Sequence, residues 1–127
     1  VATWAQVTLL LHTMYDVLTD TPDSVQIQVP TGEGRSQLVT VRHVEDGAGW
    51  VVLDSPVARL ADVDVVRALT LAEDLPCGGL TKRLEFLTVT HAAPLETLDV
   101  QDLARPLEVV VRAADRLERH LVGVDYL

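Results

Sequence analysis

A serine stands between an aspartate and a proline where an apolar run ends: Trp50-Val51-Val52-Leu53 leads directly into Asp54-Ser55-Pro56. An acid beside a hydroxyl at the end of a strand raises the question of a nucleophile. A nucleophile elbow places glycines around the serine, G-x-S-x-G, so that the chain turns sharply and exposes the hydroxyl. Here the surroundings are VLDSPVA, without glycine, and Pro56 removes a backbone N–H where an oxyanion hole needs one. Proline is tolerated at sheet edges and bulges. The triplet therefore reads as the exit of a strand or an edge bulge, and no catalytic residue is expected from it.

The other reactive side chains are scattered. His12, His43, His91 and His120 are the four histidines. A zinc site needs three or four convergent ligands, usually with a tight local pair, and neither His-x-x-x-His nor Cys-x-x-Cys occurs. His43 and His91 each end an expected strand and become neighbours if those strands pair; as surface histidines at sheet ends they need no metal. Cys77 is the single cysteine, so it cannot form an internal disulfide, and it reads as a half-buried thiol in a reducing cytoplasm. It becomes a nucleophile only with a histidine brought to it, and His91 is the conceivable partner. Gly78-Gly79 lacks the spacing and the following helix of a phosphate-binding turn. Asp46, Asp54, Asp62 and Asp64 are assigned to turns and caps, where solvated acids live. No metal and no cofactor is expected. The competing reading is a small metal- or Cys/His-dependent enzyme built on His43, His91 and Cys77.

Composition narrows the partner classes. Nineteen acids against ten bases give a net charge of -9. Such a surface repels phosphate backbones and anionic lipid, which are held by Lys and Arg; no nucleic acid and no membrane partner is expected. At 127 residues with 48% apolar content, the chain suits one domain, 1–127, with a real core. No apolar run approaches the roughly 20 residues that span a bilayer, and nothing resembles a secretory signal. The expected location is the cytoplasm. Val1 stands where an initiating Met would, so an upstream segment is expected.

The elements that would position these side chains follow from periodicity. Trp4, Val7, Leu11, Met14 and Leu18 recur at spacings of 3 and 4, which predicts a helix over 3–19, ended by Thr21-Pro22-Asp23. Val25, Ile27 and Val29 alternate with Gln26 and Gln28, a half-buried strand. The turn 30–34 leads to a second strand over 36–45. The turn 46–49 then leads to a third, Trp50 to Leu53. Short Gly-rich connections predict an antiparallel meander. Asp62 is the expected cap of a helix over 62–73 with Val65, Val66, Leu69 and Ala72 as its inner face. A short strand near 77–81, a turn at Lys82-Arg83 and the strand EFLTVTH come next. The last helix carries Leu103, Leu107, Val110, Ala114, Leu117 and Leu121 on one face, with i,i+4 pairs Glu108/Arg112 and Asp115/Arg119. Asp99 caps its first turn, Pro106 predicts a kink or a short first helix ending near Ala104, and Gly123 is its natural stop. The sum is an α+β fold, order α-β-β-β-α-β-β-α, with a five-stranded antiparallel sheet and helices largely on one face.

That order resembles the type III secretion chaperone fold and the related YbjN-like and actinobacterial peptide-binding-chaperone-like (TY-Chap) domains. The residues that carry the likeness are the run WVVLDSPVA at 50–58, the passage VTHAAPLETLD at 89–99 and the ending ADRLERHLVGVD at 114–125. The resemblance implies a non-enzymatic, chaperone- or adaptor-like domain, usually a homodimer, that holds an extended segment of a protein or peptide partner. It offers no binding motif to transfer residue by residue. Physically, such a role needs exposed apolar surface or a free strand edge. Leu9 and Leu10, which widen the apolar face of the first helix, are one candidate; Gln26, Gln28, Leu38 and Thr40 on the outer face of the first strands are the other. The plainer alternatives are that the leucines fill the core or a dimer interface and that the glutamines are ordinary solvent surface. A regulatory or scaffold module of a larger chain is the third reading.

Overall fold

The computed structural model describes residues 1–122. Three helices and six strands follow one another as α1 (Trp4–Met14), β1 (Asp16–Thr21), β2 (Ser24–Gly32), β3 (Arg35–Val44), β4 (Trp50–Arg59), α2 (Val65–Leu71), β5 (Gly79–Arg83), β6 (Phe86–Pro94) and α3 (Ala104–Leu121). Short 3-10 turns, Leu60–Asp62 and Val100–Leu103, precede α2 and α3. All strands pair antiparallel in one sheet of order β1-β2-β3-β4-β6-β5. The fold is α+β, with six strands where five were expected.

The extra strand is β1. The helix stops at Met14 because Tyr15 turns to an extended backbone (φ -135°). The following DVLTDT combines β-branched residues with two aspartates, a poor helix and a good strand once β2 is there to pair with. Met14 and Leu18, expected on the inner helix face, are instead half-exposed, at 52% and 51%. Thr21-Pro22-Asp23-Ser24 is the hairpin turn between β1 and β2, not a helix stop. At the N-terminus, Thr3 and Gln6 form a reciprocal capping box.

Alternation places the core on one face of the sheet. Val25 and Ile27 of β2, Val39 and Val41 of β3, Val51 and Leu53 of β4 and Val89 of β6 are fully or almost fully buried beneath α1 and α3. α3 supplies Leu107, Val110, Ala114 and Leu117 to the same core, and Leu103 joins from the preceding turn. Each fully buried Leu or Val contributes about 1.5–3 kcal/mol of hydrophobic free energy. Asp99 accepts from the Gln101 N–H at 3.2 Å, a short 3-10 turn ends at Leu103, and Pro106 falls in the first turn of α3, where a missing N–H costs nothing. Gly123, the expected end of this helix, lies outside the described residues.

α2 differs from expectation in its cap and in its buried face. Asp64, not Asp62, is the N-cap, accepting from the Arg67 N–H at 3.1 Å. Two sets of positions in this segment satisfy helical spacing, 65/66/69/72 and 68/71/75. The second is the one that packs: Ala68 is buried, and Leu71 and Leu75 lean on the core. Val65, Val66 and Leu69 are left 40%, 73% and 54% exposed. The β5–β6 turn falls at Leu84-Glu85, two residues beyond the expected Lys82-Arg83, and Leu84 takes a left-handed backbone (φ 55°).

Candidate functional site

Asp54-Ser55-Pro56 does not leave the sheet. β4 runs through it to Arg59, paired with β6 with a register shift between Pro56 and Ala58, whereas its ladder to β3 ends at Asp54; the strand does not exit the sheet, and the bulge lies where pairing continues on one side only. Thr40 pairs with Asp54, and carrying that register two residues further sets Leu38 opposite Pro56, which has no N–H to give. The Ser55 hydroxyl takes over that duty, donating toward the Leu38 carbonyl at 2.9 Å with the Gln37 Oε1 at 3.2 Å. Ser55 is completely buried. Its hydroxyl repairs a gap in a ladder.

Asp54, expected to be a solvated turn residue, is 5% exposed on the sheet face away from the helices. It stays in the strand because β4 continues, and its charge is met locally. Arg42 Nε lies 2.6 Å from one carboxylate oxygen, Arg83 Nε 3.7 Å from the same atom, and the Thr90 hydroxyl donates to the other at 2.8 Å. These residues border a shallow groove of about 290 Å³ closed by Pro56, Phe86 and the turn residue Leu84. Gln26, Leu38 and Thr40 line its other side, half-buried, and Gln28 is exposed beyond them, donating to the Ser36 hydroxyl at 2.6 Å. Leu9 is 68% exposed on α1, whereas Leu10 is half-buried against the core. Because α1 covers the face bearing Val25 and Ile27, the leucine pair and the Gln26/Gln28/Leu38/Thr40 set lie on opposite sides of the molecule and do not form one surface.

His43 and His91 point to the helix-covered face, but β4 separates their strands. His43 pairs with Val51, Val51 with Ala93, and His91 sits two residues from Ala93. With about 4.8 Å between strands and 3.3 Å per residue, the two Cα atoms are roughly 12 Å apart. Each has its own surroundings: His43 stacks on Trp4 at 5.3 Å between ring centroids, and Trp4 donates to the Pro22 carbonyl at 2.9 Å. Beside Cys77, Gly78 runs so close to β6 that a Cβ there would fall 2.8 Å from the Thr90 carbonyl oxygen and 3.4 Å from the His91 Cβ. Burial raises the Cys77 thiol pKa and lowers that of His91. A thiolate–imidazolium pair requires the opposite direction at both groups. Among the described residues no group of three or more His, Cys, Asp or Glu side chains has metal-binding geometry.

A cleft of about 540 Å³ lies between the β2–β3 hairpin and α3. Its floor is apolar, from Val29, Leu107 and Val111 with Tyr15 at one end. Its walls carry Arg35 from β3 and Arg112, Arg116 and Arg119 from α3, together with Glu108 and Asp115. Asp115, 5% exposed, anchors the arrangement: it accepts from Arg35 Nε and from the Thr31 hydroxyl at 3.2 Å each, and Arg119 Nε lies 3.3 Å away. The hydrogen bond to Asp115 holds the Arg35 guanidinium above its ordinary pKa. Burial, and then the nearby Glu108 charge, push the Tyr15 phenol up. The i,i+4 pairs Glu108–Arg112 and Asp115–Arg119 both form, as the spacing predicts. That Arg35 joins the second of them, from 80 positions away, has no signature in local sequence.

Compared with known proteins, the chain matches no protein-family model and no curated sequence. What is defined is the class, an α+β domain with one face of its antiparallel sheet covered by helices. No helix among the described residues is long and apolar enough to cross a membrane.

Proposed function

We propose that this chain is a non-enzymatic binding domain that holds an extended segment of a protein partner along the free edge of β1. One observation carries the reading: among the described residues β1 pairs on one side only, with β2, and five of its six residues are exposed. An edge strand presents unpaired N–H and C=O groups that another strand can complete. The edge also offers side chains to recognise. Leu18 is half-exposed on β1, and Leu9 and Met14 are exposed on α1, which is tied to the edge by His12 and Asp20 at 2.6 Å. Asp16 and Asp20 add negative charge, so the favoured segment alternates apolar with basic residues. The likeness to secretion chaperones and YbjN-like domains supports the same reading through the shared α+β plan, which is an argument by analogy.

A homodimer belongs to the proposal, because Val65, Val66 and Leu69 give α2 an apolar outer face that a second copy would cover. The test is selection from a random-peptide display library, followed by binding measurements on wild type and Leu18→Lys. Peptides with alternating apolar and basic residues that lose affinity for Leu18→Lys, and that protect the β1 amides from hydrogen exchange, are the expected result. An empty selection, or binders indifferent to Leu18→Lys, would refute the edge as the site. Sedimentation of wild type against Val66→Glu checks the dimer.

A further inference from the structure

We infer that the cleft between the β2–β3 hairpin and α3 is a binding site for a small molecule carrying a carboxylate or phosphate on an apolar body. The inference is independent of the β1 edge. Charge is the first argument. Four of the chain's ten basic residues line this one cleft, against the carboxylates of Glu108 and Asp115 in the lining and of Glu33, which pairs with Arg35 beside it, so the site keeps a surplus of one positive charge on a protein of net charge -9. A local reversal of sign in a concave, partly apolar site concentrates anions there.

The second argument is how the charges are committed. Asp115 is shared by Arg35 and Arg119, and Arg35 has a second carboxylate in Glu33 at 3.2 Å. Glu108 answers Arg112. Arg116 has no carboxylate partner among the described residues; its hydrogen bond goes from one terminal nitrogen to the Leu71 carbonyl at 2.7 Å. A guanidinium carries five N–H donors in a planar fork that fits carboxylate and phosphate oxygens, so Arg116 keeps most of its donors for an incoming oxyanion. Arg112, Arg116 and Arg119 are spaced 4 and 3 apart and therefore share a face of α3. The buried Asp115 ties this part of α3 to the hairpin through Thr31 and Arg35.

Shape supplies the third argument. The floor of Val29, Leu107 and Val111 is apolar, and a bare ion would leave it wet. The cleft volume, about 540 Å³, falls within the few hundred to about a thousand Å³ usual for small-molecule sites. A ligand with a ring or short aliphatic body on that floor and its oxyanion at Arg116 and Arg112 uses both halves of the site.

The experiment is an NMR titration of the isotope-labelled chain with benzoate, phenyl phosphate and the neutral benzamide, following arginine Nε–Hε and valine and leucine methyl signals. Expected are saturable shifts at Arg112, Arg116, Val29 and Val111 with one or both anions, and affinity for benzamide lower by about ten-fold or more, the loss of one charged hydrogen bond. The tighter of the two anions identifies the oxyanion. Arg116→Gln should weaken that binding by about ten-fold, whereas Arg59→Gln, whose side chain is exposed beside Glu85 outside the cleft, should not. Arg112→Gln, on an exposed side chain, repeats the test should Arg116→Gln fail to fold. The inference is overturned by shifts that do not saturate and spread over every arginine, by benzamide binding as well as the anions, or by anion binding unaffected by the cleft substitutions.

Discussion

Ser55→Ala tests the role assigned to the buried serine. In wild type the Leu38 carbonyl, opposite a proline with no N–H, accepts from the Ser55 hydroxyl at 2.9 Å. Alanine leaves that carbonyl without a donor in a position that water does not reach, since Ser55 is 0% exposed. A buried unsatisfied acceptor costs about 1–3 kcal/mol. For 127 residues, an unfolding entropy of about 2.1 cal/mol/K per residue converts this into a fall in Tm of roughly 4–11 °C. The stronger test is a double-mutant cycle. Pro56→Val restores an N–H facing Leu38, so in its presence Ser55→Ala should cost about 1 kcal/mol less than it does alone. Thermal and urea unfolding of the four proteins, with circular dichroism to confirm the fold, gives the coupling energy. Additive effects, or a Ser55→Ala protein as stable as wild type, would refute the argument that the hydroxyl stands in for the missing N–H.

Three further outcomes follow from the same geometry. Asp115→Ala should destabilise by about 1.5–3 kcal/mol, the range for hydrogen bonds to charged groups. It should not reach the 3–5 kcal/mol of a broken buried pair, because Arg35 and Arg119 are 35% and 50% exposed and water can take over; urea unfolding measures it, and a larger loss would mean the arginines are not rehydrated. Burial lowers the His91 pKa below its ordinary 6.5, so the unfolded chain binds its proton more readily than the native one. Stability contributed there is complete above pH 6.5, falls as the pH drops below that value and levels off beneath the folded pKa; urea midpoints of wild type and His91→Gln should diverge across that window, with the variant the flatter. Because burial raises the Cys77 thiol pKa, native protein at pH 8 should be alkylated by iodoacetamide more slowly than free cysteine, and at the free rate once unfolded in urea. Equal rates in the native state would contradict its burial.

Local chemistry explains which features were legible in the sequence. α3 was readable because its core positions repeat at 3 and 4 and its charged pairs lie within one turn, so helix, inner face and salt bridges were all written locally. β1 was not, because Met14 and Leu18 continue the helical spacing of Leu11, and only pairing with β2 decides for a strand. α2 carried two periodic faces, and choosing between them required knowing where α3 lies. Asp54-Ser55-Pro56 misled in a different way. Proline statistics point to edges, and the hydroxyl that makes it tolerable within a central strand depends on a carbonyl 17 positions earlier. The arginine cleft was half visible, as Asp115–Arg119; Arg35 reaches it across 80 positions, which no window of sequence reveals.

The sheet order also constrains how the chain assembles. Strands β1 to β4 form by successive short hairpins, whereas β6 reaches β4 only by closing the loop of residues 60–85, paying its entropy before any pairing is made. Both α2 and β5 lie inside that loop. Among the described residues β5 has no partner strand except β6, and α2 buries a single residue, Ala68. β5 rests on β6 across the Leu84-Glu85 turn and α2 rests on α3, so either can detach while β6 and α3 remain. The segment from α2 through β5 is therefore expected to open first, and native-state hydrogen exchange should find its amides exchanging while those of the central strands stay protected.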